Sequence, residues 1–163
     1  MTTRILAVCA GNICRSPAAE AAIRAEAERA GIDVEVDSAG TGSWSVGNAP
    51  HPQAVAAGSR AGLQISGRAR RLNRADFVRF DIIVVMDRAN LRDVMDMAPR
   101  LEDRAKVRLF RTFDPVTDSD EVPDPYGGPD EGYDATMGYV TAAAAGLVET
   151  LRSGGVNDSV SLE

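Results

Sequence analysis

Cys9 and Arg15 stand near the start of the chain with five residues between them, in the stretch VCAGNICRSPAAEAA, and Ser16 follows directly. A loop of this length that runs into a helix curls so that successive backbone N–H groups point inward and form a nest for an anion. The helix N-terminus adds its partial positive charge. Arg15 brings a planar fork that matches two phosphoryl oxygens, which a lysine does not reproduce. A thiol on the floor of such a cup ionises well below the value of about 8.5 of a free cysteine, and its sulfur faces the phosphorus of a bound ester in line with the leaving group. Gly11 allows backbone angles that side chains resist. The Ser16 hydroxyl is placed to donate toward the Cys9 sulfur and steady it when it leaves in a second step. The chemistry this spacing suggests is nucleophilic displacement at phosphorus. The competing reading of the bare Cys-x5-Arg spacing is that Cys9 and Cys14 are small buried apolar residues beside a helix-starting Ser-Pro pair.

The flanking segments favour the site. Ile5 to Val8 is a short apolar run that reads as a buried strand, and Pro17 to Ala30 is an Ala/Glu/Arg-rich helix. Ser16 is the candidate N-cap, Pro17 takes the first helical position and Gly31 ends the helix. Val34 to Ser38 reads as a second strand, followed by the glycine-rich loop AGTGSWSVGNAP. Pro52 to Ala61 is helical, with Gly62 as its stop. The run DIIVVM, Asp81 to Met86, has the continuous apolar character of a strand buried on both faces. Arg88 to Met97 reads as a helix and Val107 to Phe110 as a fourth strand. The segment DPVTDSDEVPDPYGGPDEG is a long loop of the kind that carries function, and Tyr133 to Arg152 closes the chain as an alanine-rich helix. The alternation implies a single three-layer α/β domain, with a parallel sheet covered by helices on both faces. Ligands of such folds bind at the carboxyl ends of the strands, where Cys9 falls. The domain is expected to span residues 1–161, with Leu162-Glu163 read as a cloning scar.

Composition narrows the class. The chain has 163 residues, 44% hydrophobic and 26% charged, as in a globular protein. A net charge of -6 argues against nonspecific nucleic-acid binding and against a basic membrane patch. Two cysteines make no disulfide scaffold and suit a reducing, cytoplasmic setting. The apolar run at Ile5 to Ala10 is too short for a signal peptide, and no run approaches membrane-spanning length. Two cysteines and one distant histidine, His51, lack the spacing of a zinc site, so no metal is expected. His51, in APHPQ, reads as a loop residue. A monomer is the expected state.

The stretches VCAGNICRSPAAE, DSAGTGSW, ARRLNRADFVRFDIIVVMDRANLRD and VPDPYGG, in this order, resemble the low-molecular-weight protein tyrosine phosphatase family over nearly the whole chain. The resemblance implies a four-stranded parallel sheet with the phosphate-binding loop after the first strand. It also implies a cofactor-free, two-step hydrolysis of phosphotyrosine through a phosphocysteine, with a tyrosine-phosphorylated protein as partner. Cys9 corresponds to the nucleophile, Arg15 to the phosphate clamp and Asp124, between Pro123 and Pro125, to the general acid. The loop residues Ala10, Gly11, Asn12, Ile13, Cys14 and Ser16 correspond to the phosphate cradle, which Asn12 and Ser38 brace by hydrogen bonds. Trp44 and Tyr126 match the aromatic walls of the entrance. Cys14 is the expected redox partner of Cys9, trapping its sulfenic acid as a disulfide.

One departure stands out. Many relatives have a histidine just after the serine that corresponds to Ser66, where this chain has Gly67. If that histidine braces the asparagine, Asn12 is expected to lack a partner here and the loop to be looser. Three other readings are weaker. Arsenate reductases with this loop need further cysteines downstream, and this chain has none after Cys14. Protein arginine phosphatases carry threonine where this chain has Ile13. A non-catalytic phosphotyrosine-binding module has no need of nucleophile, arginine and acid together.

Overall fold

The computed structural model of the protein describes residues 1–154. The expected domain limit at residue 161 and the presumed scar at Leu162-Glu163 lie outside the described residues. Strands β1 (Thr3–Cys9), β2 (Val34–Gly40), β3 (Ile82–Val85) and β4 (Val107–Leu109) form one parallel sheet in the order β2-β1-β3-β4. The helices are α1 (Arg15–Ala30), α2 (Pro52–Arg60), α3 (Asp76–Arg79), α4 (Arg88–Met97), α5 (Leu101–Arg104) and α6 (Asp130–Ser153). Alternation along β1 divides the core. Ile5, Ala7 and Cys9 face α1 and α6, packing with Ile23, Val140 and Leu147. Leu6 and Val8 face α3 and α4, packing with Phe77 and Val94. Both sides of the strand are therefore apolar, as the run Ile5 to Val8 requires. Ala18, Ala19 and Ala22 are almost fully buried, and their small size brings α1 close to the sheet and α6.

The chain leaves β1 toward β2 on one side, and β3 lies on the other side beside β4. The crevice beyond the carboxyl ends of β1 and β3 is thus the switch point at which α/β sheets bind ligands. Residues 10–14 hang there, and β2 closes over them from the far side: Thr41 N–H donates to the Cys9 carbonyl (2.9 Å) and Gly42 N–H to that of Ala10 (3.0 Å).

Several boundaries differ from the expected ones. Ser16 is not the N-cap. Helix α1 starts at Arg15 behind Cys14, which makes no side-chain cap, because the buried Ser16 hydroxyl is engaged with the loop instead. The last helix begins at Asp130, not Tyr133. Asp130 and Glu131 fill its first turn, where acids complement the helix dipole. Strand β4 stops at Leu109 and passes into a 3-10 turn, Phe110–Phe113. The short helices α3 and α5 carry too few residues for a periodic signal.

Gly40, at the end of β2, marks where backbone meets backbone. A Cβ there would lie 2.7 Å from the Ala10 carbonyl oxygen and 3.2 Å from the Asn12 nitrogen. Gly40→Ala should therefore push the 10–14 loop out of place and destabilise the fold by about 1–3 kcal/mol, the usual cost of overpacking. Urea unfolding and the inhibition constant of inorganic phosphate, measured together, check both effects.

Candidate active site

The loop between β1 and α1 wraps around the Cys9 sulfur. Asn12 adopts a left-handed backbone (φ 58°), which turns its N–H toward Cys9 Sγ at 3.3 Å. Ser16 Oγ lies 3.1 Å from the same sulfur. Among the described residues the amides of Gly11, Ile13, Cys14 and Arg15 donate to no protein acceptor, so they are available to an anion. No side-chain cap occupies the α1 N-terminus, which leaves its positive end open to the same space.

Asn12 is braced on every side. Its Nδ2 donates to Ser16 Oγ (2.8 Å) and Ser38 Oγ (3.0 Å), and its Oδ1 accepts from Arg70 N–H (3.0 Å). Ser38 Oγ donates in turn to Glu20 Oε1 (2.7 Å). The expected loss of a partner opposite Gly67 does not occur. The Arg70 amide satisfies the asparagine oxygen, while Gly67 has φ 101°, a backbone path that disfavours any side chain. Arg70 is itself fixed by Asp76 (3.1 Å) and Asp37 (3.1 Å).

Arg15 is only 3% exposed. Its Nη1 donates to Asp87 Oδ2 (2.6 Å) and the Val122 carbonyl (2.9 Å), and its Nη2 lies 3.9 Å from Asp124 Oδ2. Asp87 was not among the residues singled out in the sequence. It follows strand β3 and caps α4 by accepting from Asn90 N–H (2.8 Å), so one carboxylate starts a helix and aims the guanidinium. Its place at the carboxyl end of the strongest strand signal, directly before a helix, was the available clue.

Cys9, Arg15, Asp124, Trp44 and Tyr126 line one cleft of about 300 Å3, together with Ala10, Gly11, Ile13, Cys14 and Ser45. Trp44 and Tyr126 are strongly exposed at its rim. Asp124 Oδ1 accepts from Tyr126 N–H (3.1 Å), which ties the acid to the aromatic wall. Asn12, Ser16 and Ser38 are buried and do not line this cleft. His51 is not a bystander: its N–H donates to the Ile13 carbonyl (2.9 Å) and its Nδ1 accepts from Gln53 N–H to cap α2. Its ring stacks on Tyr133 (centroids 5.5 Å apart) and meets the Tyr126 ring edge-on (5.6 Å). Burial pushes the Cys14 thiol up to about 12, partly offset by the Tyr133 hydroxyl beside it, and burial likewise pushes Tyr133 up to about 12.

Among the described residues, no group of three or more His, Cys, Asp or Glu is placed to hold a metal ion, and no helix is long and apolar enough to cross a membrane.

Comparison with known proteins places the chain in a family. The family described as low molecular weight phosphotyrosine protein phosphatase matches residues 4–157. A low molecular weight protein-tyrosine-phosphatase of Streptomyces coelicolor is 44% identical over 156 residues, covering 93% of this chain and 95% of that protein. A low molecular weight phosphotyrosine protein phosphatase of Schizosaccharomyces pombe is 43% identical over 133 residues, covering 80% and 85%. A solved structure of an Entamoeba histolytica protein tyrosine phosphatase, with Hepes in its active site, superimposes with a TM-score of 0.90 at 32% identity, covering 93% and 98% of the two chains. With a parallel sheet of the same kind and relatives matched along almost their full length, the chain belongs to the low-molecular-weight phosphotyrosine protein phosphatase family of hydrolases.

Proposed function

We propose that the protein hydrolyses phosphotyrosine in proteins, and small aryl phosphates, in two steps at Cys9. The observation that carries this reading is the single cleft that joins Cys9, Arg15, Asp124 and the aromatic pair Trp44 and Tyr126. A phosphoryl dianion held by the free loop amides and the Arg15 fork presents its phosphorus to the Cys9 sulfur. The thiolate forms the S–P bond as the P–O bond to the phenol breaks, and Asp124 gives the departing oxygen its proton. In the second step Asp124 takes a proton from water as the water oxygen attacks phosphorus, and the sulfur leaves as thiolate. Ser16 suits that departure. Its oxygen already accepts from Asn12 Nδ2, so its hydrogen is left to choose between the Cys9 sulfur at 3.1 Å and the more distant Ala39 carbonyl at 3.4 Å. Ile13 presents an apolar surface to an aryl ring, which supports phosphotyrosine over a phosphoarginine substrate.

Cys14 shares the loop and serves as a redox guard. Peroxide converts the Cys9 thiolate to sulfenic acid and releases hydroxide. The Cys14 sulfur then attacks the Cys9 sulfur, water leaves, and the disulfide waits for reduction by a dithiol. A thiol with a pKa of about 12 attacks slowly at neutral pH, so closure of this bond speeds up as pH rises.

Three outcomes test the reading. Cys9→Ser should abolish turnover of p-nitrophenyl phosphate while phosphate still inhibits or binds, and Arg15→Lys should come close to it. Asp124→Ala should lose roughly 100- to 10,000-fold, more on a phenol of pKa about 10 than on p-nitrophenol, with the alkaline limb of the pH profile gone. Equal losses on both leaving groups with that limb intact would assign the proton elsewhere.

After a peroxide pulse, Cys14→Ser should regain a smaller fraction of its own starting activity on dithiol treatment than the unaltered protein does. Equal fractions would leave Cys14 a packing residue. The raised Cys14 pKa also fixes a sign. Unfolding lets this thiol ionise near 9.0 while the folded state keeps its proton up to about 12, so its contribution to stability is full below pH 9 and lost as pH climbs toward 12. Urea unfolding of Cys14→Ala should show a shallower alkaline decline than the unaltered protein.

A further inference from the structure

Arg111 is a buried cation in the 3-10 turn after β4, 7% exposed, and among the described residues no carboxylate forms an ion pair with it. Its acceptors belong to the loop that carries Asp124. Nη1 donates to the Glu121 carbonyl (2.7 Å) and Nη2 to Thr117 Oγ1 (2.6 Å), while its guanidinium lies over the Tyr139 ring of α6 at 4.2 Å. Nε has no acceptor. Thr117 Oγ1 donates to the Ser119 carbonyl (2.8 Å) and accepts from Ser119 N–H (3.2 Å), so the loop tip winds around the arginine.

We infer that Arg111 is a positioning residue for the general acid: it docks the loop of residues 114–129 so that Asp124 faces the Cys9 cleft. This rests on the proposed role of Asp124. The leash from Arg111 to that carboxylate is short. Glu121 is held by Arg111, and the next carbonyl, of Val122, by Arg15 (2.9 Å). Val122 N–H donates to the Met86 carbonyl (2.7 Å) and Val122 is fully buried. Pro123 and Pro125 then restrict the backbone on either side of Asp124. Two arginines thus grip consecutive carbonyls, one at the start of α1 and one just after the edge strand β4. The outer clasp from Arg88 to Glu121 and Asp120 is weaker support, since Arg88 is strongly exposed and such pairs are screened. Arg111 is the firmer tie because of burial. Were the loop to lift away, the guanidinium would lose both of its acceptors, the Glu121 carbonyl and Thr117 Oγ1, and with them two charge-assisted hydrogen bonds.

The test compares kcat/KM for a series of aryl phosphates whose leaving phenols run from p-nitrophenol to phenol, in Arg111→Met, Thr117→Val and Asp124→Ala. A displaced acid hurts basic leaving groups most. Arg111→Met should therefore steepen the dependence on leaving-group pKa in the same direction as Asp124→Ala but less far. Its loss on phenyl phosphate should be on the order of 100-fold or less, as expected of a displaced but present group. Inhibition by inorganic phosphate should change less than about twofold, because the loop amides and Arg15 remain. Arg111→Lys should fall between, since one ammonium does not span both acceptors, and Thr117→Val should show a smaller steepening. An equal loss across all leaving groups, or an unchanged slope in Arg111→Met, overturns the role. If that variant does not fold, Thr117→Val decides by the same criterion. Steepening in Asp124→Ala alone refutes Arg111 and spares the acid. No steepening in Asp124→Ala refutes the acid and this inference with it.

Discussion

The guanidinium of Arg15 has to be satisfied inside the protein, and the arrangement of the site follows from that requirement. A buried arginine without partners is untenable. Here Nη1 is shared between Asp87, at the end of β3, and the Val122 carbonyl, in the acid loop. One side chain therefore pins the phosphate loop, the central sheet and the segment bearing Asp124 to one another. Nη2 lies 3.9 Å from Asp124 Oδ2, and both residues line the cleft.

The second support lies beneath the loop. Asn12 takes up a left-handed backbone, and its amide spends every polar atom on Ser16, Ser38 and the Arg70 main chain. Those partners lead outward to Glu20, Asp37 and Asp76. Each hydrogen bond at the base of the loop is thus anchored by another, which holds the loop amides in a fixed arrangement. Gly40 makes this closeness possible, since only a residue without Cβ lets β2 lie against the Ala10 carbonyl and Asn12.

Much of this was legible in the order of residues. Continuous apolar runs at Ile5 and Ile82 marked strands buried on both faces, and Gly31 and Gly62 ended helices where left-handed angles were needed. The strand before the Cys9 to Ser16 stretch and the helix after it were legible too, and they set its loop at the carboxyl end of β1. Partnerships between distant segments were hidden. Nothing local joins Asp87 to Arg15 across 72 residues, or lets the Arg70 amide substitute for a side chain at Gly67. Ser16 misled because Ser before Pro is a common helix start, whereas here its hydroxyl was drawn into the loop. His51 looked idle because its contacts with Ile13, Tyr133 and Tyr126 come from segments far from it in the chain.

The two aromatic walls of the cleft differ in how they are mounted. Tyr126 bears on His51, which bears on the buried Tyr133 ring, so this wall is backed by a column of rings running into the core. Trp44 is 70% exposed and rests over Gly42, whose missing side chain leaves the ring room to lie flat. The two walls are thus unequally anchored: the Tyr126 side is buttressed from the core, while the Trp44 side is carried by an exposed loop and has most of its ring in solvent.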